Sequence, residues 1–271
     1  MRARPLSSSS LAAPWASTAA TVPPLPPARW LADLRARIGK CILFGCAPHH
    51  VAAAAGVLRA LATEWRELTA GSEGFLTGGR RGLEGQQVAW GAMDAFGHVN
   101  NVVYARYAES SRVNWVTNFA VRVDPRHGRQ WAELMSPRSV GLIMKSLRTD
   151  FKFPMTYPDT ISVYHKLRVS PASDPSATSL LLDCVVLSHG HRRIAARTFE
   201  DVAIYDYRKA ATTQLPGFML AVLGDVWQQQ EAEMVRARRR IWELAAAVEQ
   251  LEKQTWDRAD AVEDMGSAAQ Q

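Results

Sequence analysis

One long helical segment followed by four β-type segments is the arrangement that most limits this chain, because few folds accept that order. The helical segment runs from about Asn101 to Phe119. Tyr104, Tyr107, Ala108, Ser111 and Trp115 recur there at spacings of three and four and so share one face. Asn100 or Asn101 supplies its N-cap. Just ahead of it, Gln86–Trp90 is a short strand candidate. From Gly141 the pattern turns β-like. Thr160–Val169 alternates, with Ile161, Val163, Leu167 and Val169 on one face, after a turn at Pro158 and Asp159. Ser179–Leu187 is almost wholly apolar, as a strand covered on both sides must be. Ser188–His191 reads as a hairpin turn. Arg193–Tyr207 is a last long strand, with Ile194, Ala196, Val202 and Ile204 in alternation. Strand, long helix, then four strands joined largely by turns predicts an α+β domain: an antiparallel sheet with one helix packed on it.

Helical extensions flank this core. Trp30, Leu31, Leu34 and Ile38, then Val57, Leu58, Leu61, Trp65 and Leu68, carry helical spacing. Gly39, Gly45 and Pro48 break the stretch into two or more helices. The expected organisation is a presequence over 1–27, a helical extension over 28–70, a glycine-rich linker over 71–85 and the core domain over 86–210. A C-terminal helical extension over 216–256 and a disordered tail over 257–271 complete it. In the C-terminal extension Met234, Ala237, Ile241, Leu244, Val248 and Leu251 alternate gaps of three and four. That seam suits either a short coiled coil or an amphipathic helix packed on its own chain.

Composition narrows the partners. No run of 18 apolar residues occurs, so no membrane span is expected. The formal charge of +6 admits nucleic acid, anionic lipid or a polyanion such as coenzyme A. Basic residues are dispersed, apart from Arg192–Arg193 and the run Arg236–Arg240, and no aromatic-plus-basic motif accompanies them. Nucleic acid is therefore not an expected partner. Three cysteines, Cys41, Cys46 and Cys184, form no disulfide pattern and suit a reducing compartment. The spacing of Cys41 and Cys46 fits no common zinc site, and neither a metal nor a cofactor is expected. Residues 1–32 hold Arg2, Arg4 and Arg29 but no acid, and are rich in Ser, Ala and Pro. That is the make-up of a mitochondrial presequence, although a disordered tail would share it.

The chemistry converges on Asp94. It lies between a strand and a helix, in a loop with Gly97, His98, Asn100 and Asn101. A helix start offers unspent N–H groups and a partial positive charge. A carboxylate beside such donors can act on a carbonyl that the donors polarise, the pairing that acyl transfer needs. The plainer alternative is an Asp that caps its own turn.

Trp90, Gly91, Met93, Asp94, Phe96, Gly97, His98, Val99, Asn100 and Asn101, followed by Tyr104, Tyr107, Glu109 and Arg112, form a specific pattern. It resembles the signature of the 4-hydroxybenzoyl-CoA thioesterase branch of hotdog proteins, including bacterial long-chain acyl-CoA thioesterases. The likeness covers roughly Gln86–Tyr207 and is densest over Trp90–Arg112. The whole chain also resembles a group of fungal thioesterase-like proteins. The resemblance implies a hotdog fold, an antiparallel sheet wrapped around one long central helix, and a substrate of acyl-CoA. It implies that Asp94 attacks the thioester carbonyl or activates water, while backbone N–H groups at Asn100 and Asn101 hold the carbonyl oxygen. It also implies a homodimer or a dimer of dimers, with sites built from both subunits.

The pattern departs at Ala92, where many relatives carry an acid. His98 is either a base or a residue that orients the turn. Glu109 either reaches the cavity from a dimer partner or pairs with Arg112. Gly97 and Tyr104 belong to the substrate pocket in this reading, and Lys145, Arg148, Lys152 and Arg193 are the basic residues available for coenzyme A phosphates. A non-catalytic hotdog module that binds or assembles within a mitochondrial complex is the competing function. A hydratase on the same fold lacks its required Asp/His pattern here.

Overall fold

The computed structural model describes residues 22–79 and 81–262. Most of the presequence expected over 1–27 and most of the tail expected over 257–271 lie outside the described residues. Two compact units make up the chain. One holds the described residues up to Thr63 together with those from Arg238 onward, and the other is Glu64–Ala237.

The larger unit is built on five principal strands and one central helix. Its elements are α3 (Trp65–Gly71), β1 (Gly82–Gln87), α4 (Asn101–Asn118), α5 (Gly128–Glu133), β2 (Val140–Phe151), β3 (Thr160–Leu167), β4 (Ser179–Ser188) and β5 (Arg193–Asp206). A two-residue strand β6 (Ala211–Thr212) pairs with β5. The order across the sheet is β1-β3-β4-β5-β2, and every pairing is antiparallel. This sheet wrapped around α4 is the hotdog arrangement expected above.

The apolar face of α4 explains the packing. Tyr104, Ala108, Ser111 and Trp115 are buried and Tyr107 is half-buried. The first half of the helix packs with Val163, Cys184, Val186 and Ala196 of the strands. Trp115 and Val116 of its last turn, with Phe119 just after it, join a second cluster with Trp131, Leu182, Val202 and Ile204. Phe119 stacks on Trp131 at 4.5 Å between ring centroids. β3 is buried on both faces rather than on one, so its alternation of Ile161, Val163 and Leu167 describes only the side turned to α4.

Two expectations shift. The glycine-rich stretch is not a free linker, because β1 begins inside it at Gly82 and the residues before it are anchored. Phe75 is buried, Lys166 Nζ donates to the Glu73 carbonyl, and Arg197 pairs with the Glu73 carboxylate. The strand expected at Gln86–Trp90 therefore lies several residues earlier, and Trp90–Ala92 forms a 3-10 turn instead. Gly82 is needed where β1 crosses β3: a Cβ there would lie 2.1 Å from the Val163 carbonyl oxygen.

The helix α6 (Gly217–Thr255) is continuous over 39 residues. Met219, Leu223 and Val226 are part of the sheet unit's core. The Gln230 carboxamide donates to the Leu167 carbonyl at 3.1 Å and accepts from the Leu167 N–H at 2.9 Å. In the smaller unit, α1 (Trp30–Leu43) meets the last turns of α6. Arg37 pairs with Glu252 at 2.5 Å, and the Lys40 ammonium sits 3.1 Å over the Trp256 ring. A second helix, α2 (Pro48–Thr63), completes that unit. Of the α6 seam, Ala237, Ile241, Leu244, Val248 and Leu251 are buried within this single chain. No helix among the described residues is long and apolar enough to cross a membrane.

Candidate active site

The loop between β1 and α4 is closed by its own backbone. Asp94 N–H donates to the His98 carbonyl at 2.9 Å, and Gly97 N–H donates to the Asp94 carbonyl at 3.0 Å. Gly97 takes φ +74°, a conformation that favours glycine. Asn100 N–H reaches back to the Ala92 carbonyl at 2.9 Å, and Val99 N–H ties the loop to Met155 at 2.8 Å. One oxygen of the Asp94 carboxylate accepts the Phe96 N–H at 2.9 Å. The other has no hydrogen-bond partner among the described residues, and the side chain is half-buried at the loop surface.

The start of α4 completes the arrangement. The Asn100 side chain caps the helix by accepting from Val102 N–H at 3.1 Å, and Val103 N–H donates to the Asn100 carbonyl. Asn101 is exposed, and its N–H has no acceptor among the described residues. The turn thus brings a held carboxylate and an unspent helix-start amide into one short loop. Such an amide can stabilise charge developing on a carbonyl oxygen.

The other expected residues are spread out. The His98 ring makes no hydrogen bond among the described residues, so only its carbonyl orders the turn. Tyr104 is core rather than pocket: its hydroxyl accepts from Met155 N–H at 3.4 Å, and burial pushes its pKa up. Glu109 is exposed and does not pair with Arg112. Arg112 turns inward because a buried carboxylate, Glu200, waits 2.9 Å away. Lys145, Arg148 and Lys152 lie along or just beyond β2. Lys145 meets Asp201 at 3.0 Å, Arg148 meets Asp150 at 3.4 Å, and Lys152 meets Asp150 at 4.0 Å. None of the three lines the recess beside the Asp94 loop. That recess, about 380 Å³, is walled by Gly91 and Ala92 of the loop and by Val103 and Tyr107 of α4. The alanine that breaks the expected pattern is thus part of its wall.

A second constellation has no sequence signature. Ser111 Oγ lies 3.0 Å from His165 Nδ1, His165 Nε2 lies 3.3 Å from Glu200, and Arg112 completes the cluster. The order serine, histidine, carboxylate imitates a catalytic triad. Yet Ser111 donates its proton to the Val163 carbonyl at 2.8 Å, and Ser111, His165 and Glu200 are sealed from solvent. A nucleophile whose hydroxyl is spent and which no substrate can touch performs no acyl transfer. The cluster instead fastens α4 to β3 and β5. Burial pushes the Glu200 carboxyl up, but His165 and Arg112 outweigh it and hold it below the ordinary carboxylate range. No group of three or more His, Cys, Asp or Glu suited to a metal ion occurs among the described residues.

Residues 88–223, about half the chain, match the family model described as the thioesterase-like superfamily. The chain belongs to the thioesterase-like superfamily. The reaction class of the thioesterase domain is accordingly thioester hydrolysis. Solved structures similar to it include a thioesterase from Thermus thermophilus complexed with coenzyme A and zinc. That likeness has 18% identity and a TM-score of 0.41, covering 55% of this chain and 97% of that one. A DHNA-CoA thioesterase from Staphylococcus aureus is similar at 11% identity and a TM-score of 0.38, covering 62% of this chain and 90% of that one. No curated protein matches the sequence.

Proposed function

We propose that the thioesterase domain hydrolyses acyl-CoA, with Asp94 as the reacting carboxylate and Asn101 N–H as the donor to the thioester oxygen. The observation that carries this reading is the pairing of a half-free Asp94 carboxylate with an unspent Asn101 amide in one closed loop. Two routes fit that pairing. Asp94 attacks the carbonyl carbon and expels the coenzyme A thiolate, after which water cleaves the anhydride. Alternatively, Asp94 takes a proton from a water molecule that attacks directly. In both routes the carbonyl oxygen gains negative charge that the helix start can hold. The net positive charge suits a polyanionic coenzyme.

The active form in this proposal is a homodimer or a dimer of dimers. β2 ends the sheet, and Ile143, Leu147 and Phe151 along it are exposed apolar residues. Beside the Asp94 loop, Trp90, Phe96 and Val102 stand 75%, 86% and 66% exposed. A second copy would cover such surfaces and could bring Lys145, Arg148 or Lys152 to the partner's site. Light scattering that finds an active monomer would remove this part of the proposal.

The test of function is free thiol release from a panel of acyl-CoA substrates spanning short, long and aromatic acyl groups. Release from at least one member, above the rate without protein, is expected. Release from none would favour the non-catalytic binding or assembly module.

A further inference from the structure

The flank that α4 shares with β1 holds two recesses in succession. The first is the one beside Ala92. The second is larger, about 560 Å³, and lies toward the C-terminal end of α4, where Asn114, Asn118 and Arg122 line it. Leu83 of β1 is a wall of both. Val103, Tyr107, Ser110, Asn114 and Asn118 follow one another at spacings of three and four along one face of the helix. A molecule entering beside Asp94 therefore has one continuous helical face to follow, roughly 22 Å long from Val103 to Asn118.

Asn118 marks what the far end expects. The residue as a whole is only 7% exposed, and it lines the recess without a side-chain hydrogen bond among the described residues. Both the donor and the acceptor of that carboxamide are therefore available to a molecule in the recess. Asn114 is different, because its amide already donates to the Gly82 carbonyl at 3.0 Å.

The charges around Asn118 restrict the ligand further. Arg122 has no carboxylate within ion-pair distance among the described residues. Glu84, in the same recess, accepts from the Tyr164 hydroxyl at 2.9 Å and from Gly78 N–H at 3.1 Å. One cation and one anion face the same space. A second carboxylate would gain Arg122 and meet repulsion from Glu84. A neutral hydroxyl suits both, and it can also donate to and accept from the Asn118 amide. Leu83 and Val121 supply apolar surface for the carbon chain leading to it.

Resting on the acyl-CoA reading above, we infer that this second recess receives the far end of a long acyl chain and selects chains that carry a terminal hydroxyl. The apolar Ala92 wall suits the near part of such a chain, and Asn118 reads its end.

The test uses the full chain and two S-alkyl-CoA thioethers of sixteen-carbon chain length, one ending in methyl and one in hydroxyl, which cannot be hydrolysed. Calorimetry should show the hydroxyl-ended thioether binding about tenfold more tightly, the scale of one recovered hydrogen bond. Asn118→Leu should abolish that preference, and Arg122→Gln should reduce it. Hydrolysis of ω-hydroxypalmitoyl-CoA and palmitoyl-CoA should follow the same ranking in kcat/KM. Equal affinity of the wild type for the two thioethers overturns the inference, whether or not acyl-CoA is hydrolysed. A preference that survives Asn118→Leu also overturns it. A preference without hydrolysis keeps the recess assignment and removes the hydrolase reading instead.

Discussion

Asp94, in the loop that leads into α4, and Glu200, on the strand packed against it, are two carboxylates in opposite settings. Asp94 lies on a surface loop, takes one backbone hydrogen bond, and keeps an oxygen unspent beside a helix start. Glu200 is sealed beneath α4, with Arg112 and His165 against it and Ser111 completing a triad-like order. Judged by residue types alone, the buried cluster looks the more catalytic of the two. Access reverses that ranking. Catalysis needs a group that substrate can reach, whereas a cluster of paired charges sealed from solvent holds the helix to the sheet.

The sharpest test of the contrast is Asp94→Asn. Turnover of whichever acyl-CoA proves to be a substrate should fall on the order of 10²–10⁴-fold, the range for an acid–base group. The melting temperature should stay put, since Asn caps a turn as well as Asp does. Full activity with an unchanged melt would leave Asp94 as a turn former only.

Glu200→Gln should do the reverse. Breaking a buried pair leaves Arg112 uncompensated and should cost about 3–5 kcal/mol in stability. Turnover per folded molecule should change only a few-fold. Denaturant unfolding alongside rates below the melt would separate the two, and a large rate loss without a stability loss would break the comparison.

The pH dependence follows from the same site. The folded pKa of Glu200 lies below its unfolded value. The stability it contributes is therefore complete above the unfolded carboxylate value, about pH 4.3, and drains away as the pH falls through the lower folded value. Unfolding curves from pH 6 downward should show a shallower acid loss in Glu200→Gln than in the wild type. Parallel curves would mean that Glu200 is not the group responsible.

The smallest expected effect concerns the cap. Asn100→Ala removes the acceptor for Val102 N–H and should cost about 1 kcal/mol. Turnover should also drop modestly if the helix start is the carbonyl's donor. Chemical denaturation together with kcat reads both.

How far this contrast was legible in the sequence depends on distance along the chain. The Asp94 loop is contiguous from Trp90 to Asn101, so its turn glycine, its cap and its carboxylate are visible together. The face of α4 is visible because its spacing is local, and β3, β4 and β5 because their apolar residues are dense. Arg112 and Glu200 meet only after the sheet closes over the helix. Ser111 and His165 are separated by 54 positions, and nothing in either neighbourhood announces the other. The same holds for Asn118, which reads as an ordinary polar residue of a helix end until the recess around it exists. β1 lies ahead of its expected place for a related reason. Gly82, Glu84, Gly85 and two glutamines have little strand preference of their own, and only pairing with β3 makes that segment a strand. The short α5 and the π-helical turn Phe119–Val123 have no periodic signal.

The contact between Gln230 and Leu167 has a further consequence. β1 is shorter than its neighbour, and its pairing with β3 reaches only Tyr164. Beyond that point the outward peptide groups of β3 would lie bare, and bare rungs recruit stray chains into intermolecular ladders. A carboxamide is a peptide group in miniature, with one donor side and one acceptor side. By engaging both the N–H and the C=O of Leu167, one glutamine acts as a single-residue splint where the backbone strand has run out. The fold thereby gains protection against self-association at that rung, from a helix rather than from another strand.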